Sequence, residues 1–158
     1  MEMAAVLARW LLGATFLYLG LDKALHPADF LKLIRQYDLP QNPWMLNPIA
    51  ALLPWFEFFC GLLLLAGIAV RGTALVLIAL LVPFTVVVFR RALAIQSAQA
   101  IAFCAVKFDC GCGAGEEFVC HKLLENLVLL ALSIWLVAGR GQKLCLHHTL
   151  RSSSRAKT

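Results

Sequence analysis

The chain has 158 residues, 61% of them apolar and 15% charged, with a formal net charge of +5, a composition far from that of an ordinary soluble domain. The length allows one domain, and the apolar residues fall into four separated runs, which excludes a soluble enzyme held by a single anchor. Much of the positive charge lies in the tail at Arg140, Lys143, Arg151, Arg155 and Lys157, so membrane lipid with anionic headgroups is the expected partner and nucleic acid is not.

The first run, Ala4 to Leu21, has a short flank containing Glu2, lacks a small-residue cleavage site and continues into Asp22-Lys23. It reads as a retained spanning helix over about 4–22, not a signal peptide. A mixed stretch from His26 to Trp44 follows, carrying Pro27, Pro40 and Pro43; within it Phe30, Leu33, Ile34 and Tyr37 recur at helical spacing, as expected of an amphipathic segment on the membrane surface. Asn47-Pro48 supplies a helix cap and an N-terminal proline for a second span over about 48–70, kinked at Pro54. Arg71-Gly72 reads as a tight connection to a third, antiparallel span over about 73–97 that tolerates Pro83 and continues past Arg90-Arg91. Phe103 to Cys120 holds four cysteines with Gly111, Gly113 and Gly115, and reads as a compact loop. A fourth span over about 121–138 ends at Gly139, before a basic tail over 140–158 whose serines, Ser152 to Ser154, point to disorder. The expected fold is therefore all-α: an integral-membrane four-helix bundle over 1–139, with a Cys-rich loop between helices 3 and 4.

Four spans place both termini on one side. That side would carry Arg9, Arg71 and the five tail cations; the other would carry Lys23, Lys32, Arg35, Arg90, Arg91, Lys107 and Lys122. The numbers tie, and the dense tail favours cytoplasmic termini. Four cysteines crowded into one loop persist as disulfides only on an oxidising face, which places that loop outside the cytoplasm.

The chemistry concentrates in Cys104, Cys110-Gly-Cys112 and Cys120-His121. A Cys-x-Cys pair closes only a small, strained ring, so its disulfide is expected to oxidise other thiols readily, with Gly111 easing the backbone. Cys104 and Cys120 are candidate resolving thiols, or candidate partners of Cys110 and Cys112 in a relay of two disulfides. A static loop clamp is the plainer alternative. Zinc or an iron–sulfur cluster is the third, although one residue between Cys110 and Cys112 suits a tetrahedral chelate poorly; no metal is expected.

Glu57 lies inside the second run and must be neutral or paired, with Lys23 or Asn126 as the candidate partner. The three residues form an expected polar interior, whose role is either proton transfer or a structural lock between helices. Cys60 shares a face with Glu57 and reads as a small packing residue. Trp10, Trp44, Trp55 and Trp135 suit interfacial anchoring.

Gly20-Leu21-Asp22-Lys23, Pro54-x-x-Glu57 with Gly61, Phe84-Thr85, Cys110-Gly-Cys112 and Glu125-Asn126 occur in an order and spacing that resembles the DoxX family, in particular its MauE-like redox-associated branch. The resemblance covers essentially the whole chain. It implies a small four-helix membrane bundle linked to thiol or sulfur redox chemistry, with Cys110 and Cys112 as the redox pair and Lys23 and Glu57 in the polar interior. The expectation is a bacterial inner-membrane thiol-disulfide or thiol:quinone oxidoreductase, without a covalently bound cofactor. It would pass electrons between an extracytoplasmic thioredoxin-like or other redox partner, or a sulfur compound, and the quinone pool. The alternative is a non-catalytic subunit that scaffolds a larger membrane complex.

Overall fold

The computed structural model describes residues 2–37, 42–109 and 116–138. The basic tail read over 140–158, with its serine-rich end, lies outside them. In chain order the elements are α1 (Glu2–Leu25), α2 (Pro27–Gln36), α3 (Pro43–Ala66), α4 (Val70–Gln99), a 3-10 turn (Phe103–Ala105), β1 (Lys107–Asp109), β2 (Glu116–Phe118) and α5 (Val119–Val137). Helices α1, α3, α4 and α5 are each long and apolar enough to cross a membrane, and together they form the expected four-span all-α bundle.

Two boundaries differ from the sequence reading. Helix α3 starts five residues earlier than Pro48, at Pro43, because Asn42 and Pro43 offer the same pairing of cap and N-terminal proline as Asn47 and Pro48. The Asn42 side chain accepts a hydrogen bond from the Trp44 N–H at 3.0 Å. The added turn buries Leu46, which joins Ala50 in packing against Phe30 and Ile34 of α2. The link between α3 and α4 is not Arg71-Gly72 but residues 67–69. Gly67 takes a left-handed conformation, φ 72°, and the Ile68 N–H reaches back to the Leu63 carbonyl at 2.9 Å, a Schellman closure that glycine permits. Arg71 and Gly72 instead form part of the first turn of α4.

Helix α1 packs most extensively on α3, and α4 on α5, while contact between these two pairs is thinner. Glycines let α1 and α3 approach at backbone distance: a Cβ on Gly61 would meet the Leu17 nitrogen and the Gly13 carbonyl oxygen at 2.5 and 2.7 Å, the close packing that small residues allow between membrane helices. Leu12, Phe16, Cys60, Leu64, Ala74, Leu77, Leu81 and Leu129 fill the centre. The amphipathic α2 buries Phe30 and Ile34 against α3 and leaves Asp29, Lys32 and Arg35 exposed.

The stretch read as a compact loop contains a further layer. β1 and β2 pair antiparallel, with Lys107 opposite Phe118, Phe108 opposite Glu117 and Asp109 opposite Glu116. This hairpin, the 3-10 turn and the facing ends of α4 and α5 share a second small core of Ala92, Val106 and Val119, flanked by Ile95, Ile101, Phe103, Phe108 and Leu123. The result is a cap seated on one end of the bundle.

Candidate functional site

The first part of the site is a charged layer inside the bundle, beneath the cap. Each spanning helix contributes a residue near one that it also supplies to the apolar core, namely Phe16, Cys60, Leu81 and Leu129. Glu57 lies three residues before Cys60, Phe84 three after Leu81 and Asn126 three before Leu129. Lys23 lies seven residues after Phe16, and helical side chains lean back toward the N-terminus, which turns its ammonium back toward Glu57 of α3. Lys23 Nζ donates to Glu57 Oε2 at 2.6 Å. It also lies 5.4 Å from the centroid of the Phe30 ring and 6.0 Å from that of Phe84, within range of cation–π attraction. One ammonium therefore ties together α1, α2, α3 and α4.

Of the two partners considered for Glu57, the structure supplies Lys23. Asn126 is just 2% exposed, and its Nδ2 has no hydrogen-bond partner. An ion pair in an apolar interior persists because each charge compensates the desolvation of the other. Sequence reasoning missed Lys122, which is buried at 4% exposure and donates to Glu125 Oε2 at 2.6 Å. Its signal was the spacing of 122, 126, 129, 133 and 136, the buried stripe of α5. It also missed Arg9, buried on the α1 stripe with Leu12 and Phe16.

The second part is the cap. Cys104, in the 3-10 turn, is disulfide-bonded to Cys120 in the first turn of α5, with Cα atoms 5.1 Å apart. Neither sulfur is thus a free resolving thiol or a partner of Cys110 or Cys112 in this structure. The 3-10 turn sets Cys104 beside the N-terminus of α5, and the Val119 N–H donates to the Val106 carbonyl at 3.1 Å, so the two cysteines meet at the base of the hairpin. Cys110 and Cys112, expected as the redox pair, lie outside the described residues, in the six-residue connection 110–115 between the paired ends of β1 and β2. Lys107 Nζ sits 4.1 Å from the centroid of Phe118 on the opposite strand. Tyr37, at the end of α2, meets Phe108 edge-on with centroids 6.4 Å apart, joining α2 to the cap. Among the described residues the one free cysteine is the buried Cys60, and no group of three or more His, Cys, Asp or Glu side chains is placed to hold a metal ion.

Four apolar helices, a charge-paired interior and a cap closed by the Cys104–Cys120 disulfide define a small multi-pass membrane protein. The chain matches the family described as methylamine utilisation protein MauE over residues 1–139, and it belongs to that family. No curated protein and no solved structure matches it.

Proposed function

We propose that the protein is a membrane thiol-disulfide oxidoreductase that passes electrons between an extracytoplasmic thiol partner, or a reduced sulfur compound, and the membrane quinone pool. The observation that carries this reading is the hairpin: Cys110-Gly-Cys112 connects two paired strands whose base is closed by a separate bond, Cys104–Cys120. A second disulfide that fixes the mounting leaves the Cys-x-Cys pair free to cycle. In that cycle a thiolate of the partner's dithiol attacks the Cys110–Cys112 disulfide, breaking the bond and forming a mixed disulfide. The partner's second thiol then displaces the remaining Cys sulfur, leaving an oxidised partner and two cysteine thiols. Transfer of two electrons and two protons from these thiols to a quinone yields quinol and restores the disulfide. A thioredoxin-like protein suits the partner role, and a larger membrane complex is the wider setting.

The reading places the protein in a bacterial inner membrane, with the cap outside the cytoplasm and the termini inside. In intact cells, a membrane-impermeant maleimide added after reduction should label the cap cysteines; labelling of Cys145 instead would overturn this orientation.

Replacement of single sulfurs tests the chemistry. Cys110→Ser and Cys112→Ser should each insert normally and lack thiol oxidation activity, and one of them should trap a mixed disulfide with a partner whose own second cysteine is replaced by serine, because nothing then resolves the adduct. The Cys104–Cys120 bond would equally serve a non-catalytic scaffold. In that case the serine variants would lower complex assembly and trap no adduct. Full activity in both variants would refute the thiol cycle.

A further inference from the structure

We infer that the charged layer beneath the cap is a binding site for the head ring of a quinone, entered from the lipid along the seam between the α1/α3 and α4/α5 pairs. This rests on the proposed quinone-linked function and assigns the acceptor a place in the fold.

The observations behind it are independent of the cysteines. The Asn126 amide is 2% exposed, yet its Nδ2 has no partner. A buried, unmet N–H donor is costly, and a ligand carbonyl oxygen satisfies it. The inferred site joins this amide to Lys23, an ammonium donor, and Glu57, a carboxylate, which are paired at 2.6 Å. The rings of Phe30 and Phe84 border that ammonium at 5.4 and 6.0 Å. A para-quinone is a flat ring with a carbonyl at each end, and it takes up two protons with two electrons. Amide and ammonium donors match its two oxygens, and phenyl faces match its ring.

The route in follows from the packing. The tight contacts lie within the pairs α1/α3 and α4/α5, and those between the pairs are thinner. Lys23 and Glu57 belong to one pair, Phe84 and Asn126 to the other, and the 6.0 Å approach of Lys23 to the Phe84 ring crosses the seam. A lipid-soluble ligand reaches it by parting two lightly joined surfaces, without opening either close-packed pair.

The test uses the full chain in phosphatidylcholine nanodiscs with decyl-ubiquinone as probe, bound quinone being separated and quantified. Saturable binding is expected, weakened about tenfold or more in Asn126→Leu, the loss of one hydrogen bond in a dry site. Equal affinity in the variant, the result if only water meets Asn126, would overturn the inference. A photoreactive azidoquinone needs no variant: label in residues 77–88 and 119–130 of the native protein supports the site, and label confined to lipid-facing residues elsewhere refutes it. The same titration on the Cys110→Ser/Cys112→Ser protein separates this site from the thiol cycle. Binding of the quinone should persist there, and its loss would count against the inference, whatever the fate of thiol oxidation.

Discussion

Gly20 of α1 lies so close to α3 that a Cβ added to it would stand 2.5 Å from the backbone nitrogen of Phe58, 2.7 Å from the Pro54 carbonyl oxygen and 2.9 Å from the Phe58 Cα. All three are backbone atoms and cannot rotate aside, so even one methyl group must push the helices apart. Gly20→Ala should therefore destabilise the bundle by about 1–3 kcal/mol, the usual scale of overpacking. Gly72→Ala gives the contrast. A Cβ there meets nothing within 4 Å, and alanine is favoured over glycine in a helix by about 0.5–1 kcal/mol, so this variant should be neutral or more stable. Thermal unfolding in detergent micelles checks both; indistinguishable midpoints would show that the close approach is not needed.

Removing the carboxylate of Glu57 leaves the Lys23 ammonium buried without its counter-charge. Glu57→Ala should cost about 3–5 kcal/mol, the usual result of breaking a buried pair. The double replacement Lys23→Met/Glu57→Leu should recover much of that loss, since no bare charge remains. Asp29→Ala, which breaks the exposed pair with Lys32, should hardly shift unfolding. A double variant no more stable than Glu57→Ala would contradict this account.

Cys104 and Cys120 close a loop across 16 positions, and on the chain-entropy view a cross-link of that span contributes about 3 kcal/mol. Either Cys104→Ser or Cys120→Ser breaks the same bond, so each single change should match the double. The effect should be confined to the cap, because the spanning helices are held by other contacts. Faster amide exchange over residues 103–109 and 116–118 is the expected reading. Unchanged exchange there would mean that the small core around Val106 holds the cap by itself.

Asp29, on the exposed face of α2, accepts a hydrogen bond from Lys32 at 2.8 Å. This bond, and then the charge of Lys32, hold its carboxyl below the ordinary carboxylate value. A lowered value in the folded protein means that the interaction is present at neutral pH and is lost as pH falls through the carboxyl's own titration. Lys32→Ala should move the midpoint upward, followed by carbon NMR of the Asp29 carboxyl. An unmoved midpoint would remove Lys32 as the cause.

The four spans were legible because runs of this length and apolarity have few other uses. The Lys23–Glu57 pair was legible for the opposite reason: an acid in such a run requires a partner. Helix ends were less so. Asn42-Pro43 and Asn47-Pro48 carry the same local signal, and burial of Leu46 against α2, a long-range contact, favours the earlier start. Arg71-Gly72 looked like a turn, yet Val70, Thr73 and Ala74 are buried, so packing continues α4 through it. The hairpin was hidden because strands of three residues are too short to show alternation. The Cys104–Cys120 bond could not be read at all, since four cysteines allow three pairings and spacing alone does not choose.

Helix α4 runs for 30 residues, about 45 Å at the usual rise, against an apolar bilayer core of about 30 Å. The excess is about the depth of the headgroup zones, and the cap is built on that end of the helix. The Cys104–Cys120 disulfide at the base of the cap is thus presented at the height of the lipid headgroups, not in open solution above them. In the proposed thiol cycle, a protein partner that meets the cap must lie against the membrane to do so. For a membrane-tethered partner the encounter becomes a search over a surface, governed by its density in the bilayer plane; a freely soluble one must first adsorb. Attaching or releasing such a partner's anchor would then set the rate of exchange without altering a single contact in either protein.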